Sequence, residues 1–302
     1  MVGLCEGRVV IVTGAGRGLG RAYALGLAAE GAKVVVNDLG VGTHGDATAE
    51  TPAALVVEEI RDLGGEAVAN FEDVADYAAG GRIVQAALDR FGKLDAVVNN
   101  AGFVRDRMFV SCTPEEWDDV LRVHLRGHFC ISRHAAEYWR GQAKAGAKVD
   151  ARIINTSSGA GLQGSVGQSA YATAKGGIAT LTLVQAEELA RYGVTANALA
   201  PSARTRMTET AFSEMMKPKP GTFDIFDPEN TAPLVAWLCS TQSAGVTGQV
   251  FELLGGIIRV CLGWKDGPEF DNGARWEPEA LGARILDLVA ARPPAKPVYG
   301  AG

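Results

Sequence analysis

The sequence has few cysteines and no excess of basic charge, and each of these features excludes a class of protein. Five cysteines occur in 302 residues, at positions 5, 112, 130, 239 and 261. Their odd number and wide spacing indicate neither a disulfide framework nor a zinc site, and favour a reducing compartment. The formal net charge of -6 would repel a phosphate backbone, so we expect no nucleic-acid partner.

Long hydrophobic runs and targeting signals are also missing. No apolar run reaches the roughly 18 residues needed to cross a bilayer. The first seven residues lack the charged-then-apolar pattern of a secretory signal, and residues 299–302 do not form a peroxisomal tripeptide. We therefore expect a cytoplasmic protein without a membrane partner.

Short apolar segments instead alternate with helix-length segments along most of the chain. Segments such as 8–13, 33–37 and 151–156 are continuously apolar, which is typical of parallel strands covered by helices on both faces. The alternation predicts an α/β fold, a Rossmann-type doubly wound parallel sheet of about seven strands. We assign one domain to residues 5–256 and a C-terminal extension with one helix, 278–291, to residues 257–302.

A glycine-rich turn follows the first predicted strand and precedes a helix. Its spacing is Gly14-x-x-x-Gly18-x-Gly20, a variant of the better-known dinucleotide fingerprint. Glycines let the backbone approach a pyrophosphate, and the helix N terminus supplies N–H groups and partial positive charge. The turn residues predicted to bind the cofactor are Gly14, Arg17, Gly18, Leu19 and Gly20.

Asp38 ends the second predicted strand and bears on the choice of cofactor. A carboxylate at this place can accept both hydroxyls of the NAD ribose and repels the 2′-phosphate of NADP. Arg17 in the glycine-rich turn could favour that phosphate, but Asp38 is expected to lie nearer the 2′ position. The sequence therefore predicts NAD.

A tyrosine and a lysine four residues apart predict the catalytic chemistry. Tyr171 and Lys175 share one face of a predicted helix. A free tyrosine has a pKa of about 10, and a neighbouring lysine cation favours its phenolate, which can then accept an alcohol proton. Ser158 follows a predicted strand, and its hydroxyl could hydrogen-bond the same substrate oxygen. We predict Ser158, Tyr171 and Lys175 as catalytic residues.

These motifs together resemble those of the short-chain dehydrogenase/reductase family over residues 5–256. The resemblance rests on the glycine-rich turn, Asp73, Asn99-Asn100-Ala101-Gly102, Ser158 and Tyr171-x-x-x-Lys175. It implies a Rossmann-type fold and a Ser/Tyr/Lys active site, with Tyr171 also at the cofactor and Lys175 also holding the nicotinamide ribose. The further cofactor-binding residues that it implies are Asp73, Val74, Asn100, Ala101 and Gly102.

Other segments resemble the (3R)-hydroxyacyl-CoA dehydrogenases of the multifunctional-enzyme branch. Enzymes of this branch are also called 17β-hydroxysteroid dehydrogenases. They include residues 20–25, 34–40, 122–127, 206–208 and 234–239. This resemblance implies oxidation of a (3R)-3-hydroxyacyl-CoA, including steroid side-chain thioesters, or of a 17β-hydroxysteroid, with NAD. It also implies a homodimer or homotetramer, with the helices of Trp117 and Tyr171 as candidate interfaces.

The chain departs from the family pattern at two places. His124 stands where many family members carry an asparagine that supports the proton relay, and Pro201-Ser202 replaces Pro-Gly, which leaves Thr205 as a candidate nicotinamide contact. His124 and His128 are spaced like a metal pair, but no carboxylates complete a site, so we expect packed histidines and no metal.

The predicted substrate region contains arginines and apolar side chains. We hypothesise that some of Arg105, Arg107, Arg204 and Arg206 meet the CoA phosphates; the alternative is solvated surface arginines. The methionines and phenylalanine of a predicted lid suit a bulky acyl or sterol body, or else an ordinary helix core. These lid residues are Met207, Phe212, Met215 and Met216.

Two other functions compete with this interpretation. One is an NADPH-dependent 3-oxoacyl-thioester reductase, against which Asp38 argues. The other is a non-catalytic dinucleotide-binding sensor, which predicts a damaged Ser/Tyr/Lys set, whereas all three residues are present.

Overall fold

The computed structural model describes residues 2–40, 51–204, 216–218 and 221–301, and its strands form a single sheet. The strands are β1 Val9–Thr13, β2 Lys33–Asn37, β3 Glu66–Asn70, β4 Ala96–Asn99, β5 Ala151–Thr156, β6 Val194–Ser202, β7 Val250–Leu254 and β8 Ile257–Cys261. Their order is β3-β2-β1-β4-β5-β6-β7-β8. Strands β1 to β7 are parallel, and β8 is antiparallel to β7.

Helices cover both faces of this sheet. The helices of the described residues are α1 Gly18–Ala29, α2 Pro52–Asp62, α3 Tyr77–Phe91, α4 Pro114–Leu121, α5 Gly127–Lys144, α6 Gly159–Gln163, α7 Ser169–Leu189, α8 Ala232–Cys239 and α9 Pro278–Ala291. Helix α9 has no buried residue. Helices α1, α2 and α8 contribute to the hydrophobic core on one face, and α3, α5 and α7 to the core on the other. Among the described residues, no helix is long and apolar enough to cross a bilayer.

The strands are apolar throughout because both faces are covered. In β1, Val10 and Val12 belong to one core, whereas Val9 and Ile11 belong to the other. Successive side chains of a strand point to opposite faces, so a strand between two helical layers has no polar side. All five residues of β1 are buried.

The predicted doubly wound fold is confirmed, with one addition. The predicted strand count of about seven omits β8, whose side chains are mostly exposed and therefore lack a core-facing pattern. Gly255, with φ +55°, makes the tight turn from β7 into β8. Residues 257–261 of the assigned extension thus join the sheet, and the division at residue 256 stays a prediction.

The strand order also fixes where a ligand can bind. Strand β1 has β2 on one side and β4 on the other, so the chain changes direction across the sheet at β1. Crevices form at the carboxyl ends of the strands at such a point. The glycine-rich turn after β1 and the Asn-Asn-Ala-Gly segment at the end of β4 both lie there.

Candidate active site

The turn between β1 and α1 requires its glycines. Gly14 and Gly18 have φ of +61° and +51°, which few other residues adopt. A Cβ on Gly14 would lie 2.7 Å from the Ala101 Cα, and one on Gly20 would lie 2.1 Å from the Gly14 carbonyl oxygen. The turn is therefore a bare backbone cradle at the start of α1, which is the form that a pyrophosphate needs. Leu19 packs on the adjacent core.

The Asp38 carboxylate lies beside this turn, just past β2. One oxygen accepts a hydrogen bond from the Gly16 N–H at 2.9 Å, and the other accepts one from the Gly40 N–H at 2.8 Å. A Cβ on Gly16 would approach the first oxygen to 2.8 Å. The structure thus fixes an acidic group at the edge of the cradle.

The segment after β4 is tied directly to the turn. The Thr13 hydroxyl oxygen accepts from the backbone N–H groups of Asn100 and Ala101, at 2.9 and 3.1 Å. The Asn100 side-chain amide donates to the carbonyl oxygens of Thr13 and Gly14, at 3.0 and 3.2 Å. These bonds hold the two predicted cofactor-binding segments in one rigid unit.

Asp73 and Val74 lie beyond β3, on the same side of the sheet. Asp73 accepts from the Ala75 N–H at 2.8 Å and forms an ion pair with Arg122. Val74 is buried and contributes to the core.

Ser158, Tyr171 and Lys175, the predicted catalytic residues, lie close together in the structure. Ser158 is the N-cap of the short helix α6, and its side chain accepts from the Ala160 N–H at 3.2 Å. The Ser158 side chain lies close enough to the Tyr171 hydroxyl to lower the pKa of that tyrosine. The Lys175 ammonium lies 5.6 Å from the centre of the Tyr171 ring and donates to the Thr156 carbonyl at 2.6 Å.

Burial dominates the electrostatics of this group. Loss of solvent lowers the pKa of Lys175 to about 7. Burial also raises the pKa of Tyr171, and so does the Asp106 charge, whereas the Ser158 hydrogen bond lowers it. A phenolate here therefore needs additional positive charge beside it.

His124 belongs to a π-helical turn, Arg122–Arg126, that joins α4 to α5. Its Nε2 lies 2.6 Å from the Phe103 carbonyl oxygen, and the ring meets the Tyr171 ring edge-on at 5.3 Å. Burial, and secondarily the Lys175 charge, lower the pKa of His124 to about 3. The imidazole is therefore neutral, and its Nε2 hydrogen-bonds the Phe103 backbone beside Tyr171.

His128 links the π turn to Lys175. Its Nε2 accepts from the Thr156 N–H at 3.3 Å, and the ring also hydrogen-bonds the His124 backbone. The Thr156 carbonyl in turn holds the Lys175 ammonium. Burial keeps the pKa of His128 well below its ordinary value. Both histidines are buried, and the described residues contain no group of three or more potential metal ligands.

The predicted CoA-binding arginines have different surroundings. Arg107 pairs with Glu116 at 3.1 Å, and Arg204 forms an ion pair with Asp224. Within the described part of the chain, Arg105 has no ion-pair partner and lies 5.4 Å from the centre of the Phe103 ring. Met216 is buried. The remaining predicted lid and ligand-contact residues lie outside the described residues. They are Thr205, Arg206, Met207, Phe212 and Met215.

Several groups around the site carry no local sequence signal. Gln168 donates to both carboxylate oxygens of Asp106 at 3.1 Å, which links the segment after β4 to the start of α7. Phe103 packs with Val120 and Tyr171. The contacts of Asp106 with Gln168 and of Phe103 with Tyr171 join residues more than 60 positions apart, so no periodicity reveals them.

Comparisons with known proteins agree with this geometry. The short chain dehydrogenase family model matches residues 8–216, and the chain belongs to this family. It is 44% identical over 296 residues to hydroxyacyl-CoA dehydrogenase ChsB1 of Mycobacterium tuberculosis, covering 96% of this chain and 90% of that protein. It is 45% identical over 280 residues to mouse peroxisomal multifunctional enzyme type 2, covering 93% of this chain but 34% of that enzyme.

A solved structure also matches over almost the whole chain. The crystal structure of a short chain dehydrogenase from Mycobacterium avium superimposes with a TM-score of 0.90 at 57% identity. The match covers 99% of this chain and 100% of that one. The predicted family is confirmed by all three comparisons.

Proposed function

We propose that the chain is an NAD-dependent oxidoreductase that oxidises a (3R)-3-hydroxyacyl-CoA, with Tyr171 as general base. The observation that carries the chemistry is the close proximity of Ser158, Tyr171 and Lys175 at the carboxyl edge of the sheet. The substrate class is supported by the hydroxyacyl-CoA dehydrogenase that the chain resembles over 96% of its length.

The residues of the chain would divide the reaction between them. A bound nicotinamide supplies the hydride acceptor and a positive charge. Tyr171 accepts the proton of the substrate alcohol, while Ser158 donates a hydrogen bond to the same oxygen. Burial raises the pKa of Tyr171 and the interaction with Ser158 lowers it. A protonated Lys175, together with the positive charge that a bound nicotinamide would supply, would lower it further.

The cradle after β1 fits a dinucleotide. Its positive-φ glycines leave space where any Cβ would collide, so a pyrophosphate can approach the backbone at the N terminus of α1. Asn100, Ala101 and Gly102 would line the nicotinamide side, and Asp73 and Val74 the adenine. Lys175 and Tyr171 would reach the nicotinamide ribose.

The position of Asp38 supports NAD rather than NADP. Two backbone N–H groups fix the carboxylate beside the turn, so it cannot swing away from a 2′-phosphate at low cost. A titration of the enzyme with NAD and NADP, monitored by intrinsic fluorescence, tests this. Tighter binding of NADP would contradict the assignment.

Arg105 is the best-placed candidate for a CoA phosphate, since Glu116 and Asp224 neutralise Arg107 and Arg204. Arg105→Glu should raise KM for acyl-CoA thioesters but not for a free 17β-hydroxysteroid. Arg107→Glu is the matched control and should have the smaller effect on KM. An equal effect of Arg105→Glu on both substrate classes would refute this role.

Turnover of 3-hydroxyacyl-CoA esters and of 17β-hydroxysteroids with NAD tests the function as a whole. Tyr171→Phe should abolish turnover but still bind NAD, whereas Tyr192→Phe, just past the C-terminal end of α7 and away from Ser158, should leave both turnover and NAD binding unchanged. Turnover that survives in Tyr171→Phe, or wild-type activity on no hydroxyacyl-CoA, would overturn the proposal.

A further inference from the structure

The last described residues return to the active-site side of the sheet. Tyr299 accepts a hydrogen bond on its carbonyl oxygen from the Val166 N–H at 2.8 Å, and its own N–H donates to the Gly164 carbonyl at 3.2 Å. A parallel bridge pairs Ser165 with Tyr299. We call residues 296–300 the C-terminal strap. The loop that it pairs with, residues 164–168, connects α6 to α7 and so lies between Ser158 and Tyr171 in the chain.

A buried carboxylate anchors the other end of the strap. The Lys296 ammonium lies 2.8 and 3.1 Å from the two carboxylate oxygens of Glu252 on β7, whose side chain is 10% exposed. Arg259 on β8 is 3.7 Å from the same carboxylate. A carboxylate so far removed from water needs cationic partners, so the strap belongs to the folded domain.

Glycines in the neighbouring segment make room for the strap. A Cβ on Gly159 would lie 2.6 Å from the Tyr299 hydroxyl oxygen and 3.0 Å from the nearest ring carbon, and a Cβ on Gly164 would lie 3.3 Å from Val298. Gly159 directly follows the catalytic candidate Ser158. The Tyr299 ring is therefore packed against the backbone next to that serine, while 42% of the residue stays exposed.

The opposite side of the 164–168 loop contacts the segment after β4. The Arg107 N–H donates to the Gly167 carbonyl at 2.8 Å, and Gln168 binds the Asp106 carboxylate. The loop thus lies between the strap and residues 105–107, and all three segments border the site of Ser158 and Tyr171.

We propose that Tyr299 is a specificity-determining residue whose ring forms one wall of the cleft for the substrate's acyl chain. The proposal deepens the function above and rests on it. Two hydrogen bonds hold the Tyr299 backbone, and its ring packs against Gly159, the residue that follows Ser158, while part of Tyr299 stays exposed. A ring at this place offers an apolar surface to an alkyl chain that extends from the reacting carbinol. The hydroxyl group of Tyr299 is not required for this contact.

The test compares short and long substrates in four variants. For Tyr299→Ala we expect KM for 3-hydroxyhexadecanoyl-CoA to rise about tenfold relative to 3-hydroxybutyryl-CoA, because one lost apolar contact surface changes selectivity on that scale. Lys296→Glu, which places two carboxylates together and releases the strap, should shift selectivity in the same direction. Tyr299→Phe keeps the ring and should match wild type. So should Trp264→Ala, which removes a fully exposed aromatic residue of the same extension.

Two readouts decide the outcome. A change in the long-to-short ratio of kcat/KM of about threefold or more in Tyr299→Ala supports the proposal; a smaller change, or an equal loss on both substrates, overturns it. Hydrogen exchange at the Val166 amide tests the docking without activity: protection in wild type that is lost in Lys296→Glu supports it, and free exchange in wild type overturns it.

Failure of the proposed function would look different. Wild type would then oxidise no hydroxyacyl-CoA, and the Val166 exchange would still report whether the strap is docked. The same variants would be compared on short and bulky secondary alcohols that wild type does oxidise.

Discussion

Replacing His124 by asparagine should make the protein less sensitive to acid. The imidazole is buried, and its pKa is lowered to about 3, whereas an unfolded histidine has a pKa of about 6.5. As the pH falls through 6.5, this histidine becomes protonated in the unfolded chain but stays neutral in the folded chain, so the free energy of unfolding decreases. Between about pH 7.5 and about pH 5, this single residue should cost about 2 kcal/mol of stability.

Urea denaturation at a series of pH values measures this quantity. The wild type should lose about 2 kcal/mol more than His124→Asn over that range, although the variant can be less stable at every pH. His134→Asn is the matched control, because His134 is only partly buried, packs against the start of α3, and contacts only the Tyr77 carbonyl among described hydrogen-bond partners. If the losses of stability of wild type and His124→Asn agree within about 0.5 kcal/mol, the prediction that His124 is buried and neutral is wrong.

Three further predictions concern the cofactor, the reaction and the helix before the π turn. Asp38→Ser should lower the NAD-to-NADP ratio of kcat/KM by about 10- to 100-fold, the usual effect of a charged hydrogen-bond acceptor; an unchanged ratio would contradict its role. Ser158→Ala should lower kcat by about 100- to 1,000-fold with little change in NAD affinity, as for loss of an oxygen-stabilising donor. Thr113→Ala removes the capping box with Glu116 and should cost about 1 kcal/mol in urea denaturation, whereas Thr241→Ala, outside any capping box, should cost less.

The sequence predicts the central part of this fold well because several local signals agree there. The apolar strands, the glycines of the first turn and the caps of α4 all report the conformation of their own neighbourhood. The helix at Pro278–Ala291 also has the predicted bounds. A proline at the start of the segment and an apolar periodicity along it are enough to predict such a helix.

The remaining features depend on contacts that are distant in sequence. Helix α6 is too short for a periodic pattern, and β8 exists because it can pair with the edge of β7. The π turn at His124 interrupts what reads as one long helix, since its imidazole is held by Phe103, 21 positions earlier. Tyr299 contacts Gly159, which lies 140 positions earlier in the chain, and no sequence motif predicts such a contact.

The close approach of Gly102 and His124 constrains how this site can change. A Cβ on Gly102 would lie 2.1 Å from the imidazole Cε1, so no side chain fits at position 102 while the histidine remains. An asparagine at position 124 is shorter and would leave space. Substitutions at the two positions are therefore ordered in evolution: a lineage can acquire a side chain at 102 only after it has given up the histidine, and it cannot return to histidine without first restoring the glycine.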